Sequence, residues 1–406
     1  MNSLKNRKGS VIVFICIFFV SLVFMILTFA DFSKKTAAVS AGKALCSLWA
    51  DSVLAEYDLN LQKRYNIFGY YGSPSDVKEK IEFYAGESFR SKKYIDYRVT
   101  GCSLYDYALT NTEVMETQLA SAGKLAFTEK FREPDAEIKS VTGYTGEVSR
   151  SELFENLPSE GSSKGFSVSS AISALTGSSS AGDAVKRAGN GWFISQYMFA
   201  YLKDASDEKG LGETFFENEI EYVICGQKSD AANMSRIRAY IIALREGPNL
   251  LYLNKDPVKS GEAEALALLL SPGPAAAATK QALLALWAYA ESINDYNLLL
   301  RGYKVPFMKT EASWATDLES ALKSQEEGCI YTGTETGEDY RDYLRLMVSV
   351  MDRNVRILRI MDLIQINMRK FYYKSFLLRD YYGGVRFRFD INGAEYETVK
   401  LYEKKE

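Results

Sequence analysis

The chain has 406 residues, a net charge of −3 at pH 7, and no histidine. The lack of histidine excludes Ser-His-Asp and Cys-His nucleophilic sites and every histidine-ligated zinc or iron site. The mildly acidic balance also argues against nucleic acid as a partner.

Residues 10–30 form an uninterrupted apolar run that follows a short basic tail, residues 1–9. As a helix this run is ~31 Å long, which matches the ~30 Å hydrocarbon core of a bilayer. We therefore predict a transmembrane helix in contact with membrane lipid over residues 10–30. The basic tail predicts a single-pass protein of the cell membrane with a cytoplasmic N-terminus and an extracytoplasmic C-terminal domain. A cleaved secretory signal is the alternative, although the apolar core of such signals is typically only ~7–15 residues long.

The helical pattern continues beyond the apolar run, and we predict a stalk helix within residues 31–70, continuous with the membrane helix and ending near Tyr65. Apolar side chains recur at spacings of three and four, which is typical of a helix with one apolar face. This face packs either on the protein's own domain or against another subunit. The second alternative defines a candidate partner-facing stalk: Leu45, Leu48, Trp49 and Val53.

The sequence pattern of the rest of the chain changes twice. Residues 71–156 mix helical and strand patterns and predict a small α+β region, whereas the Ser/Gly-rich residues 157–182 predict a flexible linker. Residues 183–406 predict a helical ectodomain that ends in a β-hairpin, because Asn392-Gly393 lies between two alternating strands. The predicted fold class is mainly α with a minor β component (α+β).

A second apolar stretch, Glu264 to Ile293, is interrupted by Ser271-Pro272-Gly273-Pro274 and contains Lys280. Each half is shorter than the ~17 residues that a membrane span needs. We therefore predict that this stretch forms core helices of a soluble domain.

Candidate chemistry in the chain is sparse. Four cysteines would face the oxidising side of the membrane, as disulfide candidates or as four buried thiols: Cys46, Cys102, Cys225 and Cys329. No Cys-x-x-Cys spacing indicates a metal site. We assign no catalytic, cofactor-binding or metal-binding residue and expect a protein that is not an enzyme and has no cofactor.

Four short stretches carry a resemblance to known families. The N-terminal stretch Arg7-Lys8-Gly9-Ser10-Val11-Ile12-Val13-Phe14, leading into a membrane helix, resembles the TadE/TadG-like proteins of tight-adherence (Tad) pilus loci. Three later stretches are similar to an uncharacterised family of Gram-positive bacteria that shares the anchor and is associated with such loci: 216–226, 245–253 and 287–292.

The resemblance implies a non-enzymatic, membrane-anchored accessory or minor-pilin-like component of a Tad-type pilus or secretion system, with other pilus proteins as partners. One feature departs from the pattern of cleaved pilin-like precursors, which carry Glu at the fifth mature position. Cleavage after Gly9 would place Phe14 at that position. Two alternatives stay open: an anchored adhesin that binds glycan or wall polymer, and a carboxylate-based surface hydrolase.

Overall fold

The structure is a computed structural model. It describes the following residues: 6–91, 95–129, 148–162, 165–175, 190–206, 213–323 and 329–402.

Helices predominate in the described residues. They are α1 Asn6–Leu54, α2 Leu59–Tyr65, α3 Pro74–Phe89, α4 Thr112–Glu129, α5 Arg150–Leu153, α6 Val168–Leu175, α7 Asn190–Tyr201, α8 Glu219–Cys225, α9 Asp230–Lys255, α10 Pro257–Leu270, α11 Ala276–Leu300, α12 Leu318–Leu322, α13 Tyr340–Val350 and α14 Arg353–Phe371. The strands are β1 Tyr70–Tyr71, β2 Tyr97–Ser103, β3 Tyr381–Tyr382, β4 Gly384–Ile391 and β5 Ala394–Leu401. The predicted fold class, α+β with mainly α structure and a C-terminal hairpin, is confirmed.

The chain divides into two compact units. Unit 1 consists of the chain up to Asp58, of Phe68–Asn111 and of the chain from Arg379 onward. Unit 2 consists of Leu59–Ile67 and Thr112–Leu378. The C-terminal hairpin therefore belongs to unit 1, whereas the sequence pattern grouped it with the helical residues 183–406. The reason is a long-range pairing, because β2 lies beside β4 in one sheet.

Helix α1 is continuous across Asp31 and carries the apolar run. Among the described residues, one helix is long and apolar enough to cross a membrane, and it is this one. Nearly all of its apolar side chains between Val11 and Phe32 are exposed, which is compatible with a single-pass membrane anchor. The helix ends at Leu54, earlier than the predicted stalk, because Tyr57 pairs with Tyr70 in a β-bridge and the chain turns there.

The core of unit 1 is formed where the last turns of α1 pack on a three-stranded antiparallel sheet of order β2-β4-β5. The Trp49 ring contacts Phe389 and Phe89 at centroid distances of 5.0 and 5.8 Å. Gly42 allows the close approach, since a Cβ atom there would lie 1.9 Å from the Cδ1 atom of Ile391. The helix therefore docks through a glycine and an aromatic cluster.

The hairpin between β4 and β5 turns at Asn392 and Gly393, which have φ values of 51° and 84°. Two successive residues with positive φ match the right-handed twist of the flanking strands, which is why Asn-Gly is favoured in such turns. The local sequence signal and the observed turn agree.

The core of unit 2 includes helices α9, α10 and α11, which pack around Trp287 and Trp314. The stretch from Glu264 to Ile293 is helical on both sides of its Pro-Gly-Pro turn, as predicted. It is only partly a core, however, because Leu268, Leu269 and Leu270 point into solvent. These leucines lie at the end of α10, beyond its packing partners.

The Ser/Gly-rich segment 157–182 is structured wherever the structure describes it. Residues 168–175 form α6, Phe166 and Ala171 are buried, and the Ser159 N–H donates to the Asp362 carboxylate at 2.9 Å. Over these residues a few buried apolar side chains order the chain, and the flexible linker over the whole of 157–182 stays a prediction. Residues 163–164 and 176–182 lie outside the described residues.

Candidate functional site

Four charged side chains meet in the interior of unit 2, and we call them the ionic cluster. Arg245 on α9 binds Asp295 on α11, with the Nε and Oδ2 atoms 2.9 Å apart. Lys309 lies between two acids, with its Nζ atom 2.6 Å from Glu291 and 2.6 Å from Asp295. At most 1% of each of these side chains is exposed, so the cluster holds two positive and two negative charges away from water.

Backbone and polar groups complete the ionic cluster. Glu291 accepts hydrogen bonds from the Thr316 N–H and hydroxyl at 2.9 and 2.8 Å, and Arg245 donates to the Phe307 carbonyl at 2.8 Å. Burial by itself lowers the pKa of Arg245, but the Asp295 carboxylate outweighs it and the pKa is raised overall. These contacts hold α9, α11 and the loop after α11 together.

Helical spacing explains why these groups converge. Arg245 and Asn249 are four residues apart on α9, and Glu291 and Asp295 are four residues apart on α11, so each pair lies on one helix face. The Asn249 side chain joins the pairs by donating to Asp295 at 3.0 Å. Two acids at this spacing on the largely apolar helix α11 are the sequence signal for the cluster, and the sequence analysis did not use it.

A second group of buried acids lies on α8, whose residues are all buried. One oxygen of Glu221 accepts hydrogen bonds from the Ala205 N–H at 2.9 Å and the Tyr340 hydroxyl at 2.8 Å. Its other oxygen has no hydrogen-bond partner among the described residues. Burial, assisted by the nearby Asp204, raises the pKa of Glu221 to about 7.

The other polar residues of α8 contact distant segments of unit 2. Glu219 accepts hydrogen bonds from the Lys203 N–H at 3.1 Å and the Asn367 amide at 2.6 Å. The Tyr222 hydroxyl donates to Asp362 at 2.9 Å. Burial raises the pKa of Glu219 and of Asp362. Helix α8 thus connects α14 with the chain after α7 through its acids.

The chemistry open to these acids is limited by access. A general acid or base must come within hydrogen-bond reach of a substrate, and a glycosidase places its two carboxylates beside the sugar. Glu219, Glu221, Glu291 and Asp295 are each at most 1% exposed. In the described geometry their contacts are with the protein itself, which suits a scaffold held together by buried charges.

The comparisons with known proteins give one match. Residues 131–393 match a family described as a family of unknown function (DUF5702), and this is more than half of the chain. The chain belongs to the DUF5702 family. No curated protein and no solved structure matches it.

The DUF5702 match contains both buried groups and leaves out helix α1. Three short stretches within the match contain most residues of the ionic cluster and of the buried acids on α8. Residues 216–226 include Glu219 and Glu221, residues 245–253 include Arg245, and residues 287–292 include Glu291. The sequence similarity noted for these stretches therefore falls on residues that build the interior of unit 2.

The cysteines of this DUF5702 protein are free thiols, and all five lie among the described residues. Cys46 and Cys225 are buried, and Cys102 and Cys329 are half-buried. Burial raises the pKa of Cys46 and Cys102 to about 11 and that of Cys225 to about 12, so these three are poorly nucleophilic thiols at neutral pH. In this structure the four candidate cysteines are unpaired, and two of them are only half-buried.

The four candidate stalk residues lie on different sides of α1. Trp49 and Val53 are buried in the core of unit 1, and Leu45 is partly buried against it. Leu48 is 58% exposed. The self-packing alternative therefore describes Trp49 and Val53, whereas Leu48 is the most exposed of the four candidates.

No catalytic or metal-binding residue emerges from the geometry of the part of the chain that the structure describes. There, no group of three or more Cys, Asp or Glu side chains is arranged to hold a metal ion. The accessible features of the protein are instead the apolar half of α1, a pair of stacked tyrosines on unit 2 and the tip of the α10–α11 hairpin.

Proposed function

We propose that this protein is a non-enzymatic, membrane-anchored accessory or minor-pilin-like component of a Tad-type pilus or secretion system. In this proposal α1 crosses the cell membrane with its N-terminus in the cytoplasm, and both units lie outside. The resemblance of the N-terminal stretch to TadE/TadG-like proteins motivates the proposal, and the continuous helix α1 is the structural observation that supports it most.

Helix α1 is one helix of 49 residues, ~74 Å long, that begins as an exposed apolar rod and ends in the core of unit 1. Because α1 is unbroken, the segment proposed to lie in the membrane is joined to unit 1 without a hinge. The apolar half of α1 has two suitable environments, a bilayer and a bundle of the same helices from other subunits. Both environments fit a component of an assembly that is built at a membrane.

The upper part of α1 has an exposed face that suits helix–helix contact. Ala37, Ser40, Ala44 and Leu48 are exposed and follow each other at spacings of three and four. Small side chains allow helix backbones to approach closely, and Leu48 adds one apolar contact. This face supports a subunit contact through Leu48, whereas Trp49 is committed to the core of unit 1.

A photo-crosslinking amino acid at Leu48 tests the proposal in the full-length protein in native membranes. Phe83 on α3 is the matched control, because it is also an exposed apolar residue of unit 1 and lies off the α1 face. We expect Leu48, and not Phe83, to crosslink to pilin or pilus-platform proteins identified by mass spectrometry. Repeated recovery of crosslinked products without any such protein would contradict the proposal.

A specific observation supports a second candidate function, an anchored adhesin for glycan or wall polymer. The rings of Tyr303 and Tyr331 are stacked at a centroid distance of 4.4 Å and are 40% and 43% exposed. Paired hydrogen bonds between Asn294 and Ile330, of 3.1 and 2.7 Å, hold the second tyrosine in place. Exposed aromatic rings with hydroxyl groups suit the apolar faces and polar rims of sugars.

Binding of solubilised wall glycan to the full-length protein tests this second function. Tyr331→Ala should remove the binding, and Tyr289→Ala is the control because Tyr289 is similarly exposed, at 40%, but lies on α11. The adhesin function is contradicted if the unaltered protein binds no glycan, or if both variants bind equally well.

A further inference from the structure

The tip of the α10–α11 hairpin exposes three consecutive leucines. Leu268, Leu269 and Leu270 are 53%, 80% and 60% exposed at the end of α10. They belong to an uncharged stretch, Ala265–Thr279, which also includes the Pro-Gly-Pro turn and a run of alanines. Three consecutive exposed leucines are unfavourable in water, and apolar patches bounded by polar residues often mark membrane or protein contacts.

We propose that this tip inserts into the apolar boundary of a lipid bilayer. The proposal rests on the proposed membrane anchoring, because an anchored chain keeps its units at high local concentration beside the bilayer. It goes beyond the pilus assignment, which does not require it.

The charge distribution along the hairpin matches that of one membrane leaflet. The uncharged tip is bounded by Glu264 and Lys280, which form an ion pair of 2.8 Å across the two helices. Leu270 lies six residues beyond Glu264 in the sequence, ~9 Å along a helix axis. Amphipathic elements bury their apolar face ~5–10 Å into the headgroup–acyl boundary, so the ion pair would lie among the headgroups.

A protein partner is a poorer match for the size of this surface. A stable interface buries ~800 Å² on each side, whereas three leucine side chains offer only a few hundred Å². A bilayer needs no shape complementarity and accepts a small apolar tip.

Bromolipid quenching of tryptophan tests the proposal on the full-length protein in vesicles of phosphatidylcholine and phosphatidylglycerol. Leu269→Trp places a reporter at the tip, and Val258→Trp is the matched control. Val258 is also exposed, at 67%, but lies near the start of α10, ~16 Å away along the helix. The signal from the native tryptophans is subtracted using the unaltered protein, and Leu270→Trp replaces Leu269→Trp if that variant does not fold.

We expect acyl-brominated lipid to remove most of the fluorescence added by Leu269→Trp and little of that added by Val258→Trp. A blue-shifted but unquenched Leu269→Trp signal would show that protein covers the tip and would overturn the proposal. A solvent-like, unquenched signal would overturn it as well. Flotation distinguishes the proposed membrane anchoring from the proposed tip insertion. A protein that floats with the vesicles but shows no quenching at the tip supports the anchoring and contradicts the insertion. A protein that does not float contradicts both.

Discussion

The interiors of the two units are stabilised by different interactions. In unit 1 the core is apolar and aromatic, centred on Trp49 and Phe389, and none of the described residues there is a buried polar or charged one. In unit 2 the interior contains Arg245, Asp295 and Glu221 with many other buried polar groups. Apolar packing tolerates similar substitutes, whereas a buried charge depends on its particular partner. The two units should therefore respond differently to mutation and to pH.

The largest expected effect is in unit 1, from Trp49→Asp. This change removes a large buried ring and leaves a charge in an apolar core, so we expect a loss of more than about 4 kcal/mol and an unfolded unit 1. Hydrogen exchange of the β4 amides measures it in the full-length protein. Leu48→Asp, at the exposed neighbouring position, should leave this protection unchanged. Intact β4 protection in Trp49→Asp would refute the apolar core.

In unit 2 the largest effect should come from Arg245→Met. The methionine fills part of the space, but Asp295 loses one of its two cations, so we expect a loss of about 3–5 kcal/mol. Hydrogen exchange of the α11 amides reports it, and protection in β4 should not change. Arg236→Met, an exposed arginine of the same helix, is the control. An equal effect of both variants would rule out a special role for the ionic cluster.

The comparison also predicts a pH dependence that belongs to unit 2. The pKa of Glu221 is about 7 in the folded protein, above its ordinary value of 4.5. The folded state therefore binds a proton that the unfolded state releases, and stability is lost as the pH rises from about 4.5 through 7. From this group alone the loss is on the order of 3 kcal/mol, and the raised pKa values of Glu219 and Asp362 act in the same direction.

Glu221→Gln tests this assignment. The variant cannot ionise, so unit 2 should gain stability at pH 8 relative to the unaltered protein and should depend less on pH. Glu217→Gln is the control, because the Glu217 side chain is 80% exposed. Denaturant titrations at pH 5 and pH 8 with exchange readout in α9 measure the difference. An unchanged pH dependence in Glu221→Gln would show that other groups titrate.

The smallest expected effect tests how α1 docks in unit 1. Gly42→Val places side-chain atoms where Ile391 lies, and overpacking of this kind costs about 1–3 kcal/mol. The double variant Gly42→Val/Ile391→Ala should lose less stability than the sum of its single variants, because the second change makes room for the first. Additive losses measured by exchange in β4 would mean that the two residues are not in contact.

Local sequence patterns determined much of the secondary structure. The apolar run of α1, the type of the helices that follow and the Asn392-Gly393 turn depend on neighbouring residues and could be predicted from them. The ionic cluster also had a local signal, since Glu291 and Asp295 lie four residues apart on the largely apolar helix α11, but nothing local indicated that α9 would meet it.

Only the tertiary structure decided what each residue contacts. Leu48 and Trp49 are neighbours with the same apolar character, yet one is exposed and the other lies in a core, because β4 packs against one side of α1. The grouping of the hairpin with unit 1 likewise depends on strands far apart in the chain. The physical reason is that turn and helix preferences arise within a few residues, whereas burial and ion pairing arise from long-range packing that no single segment encodes.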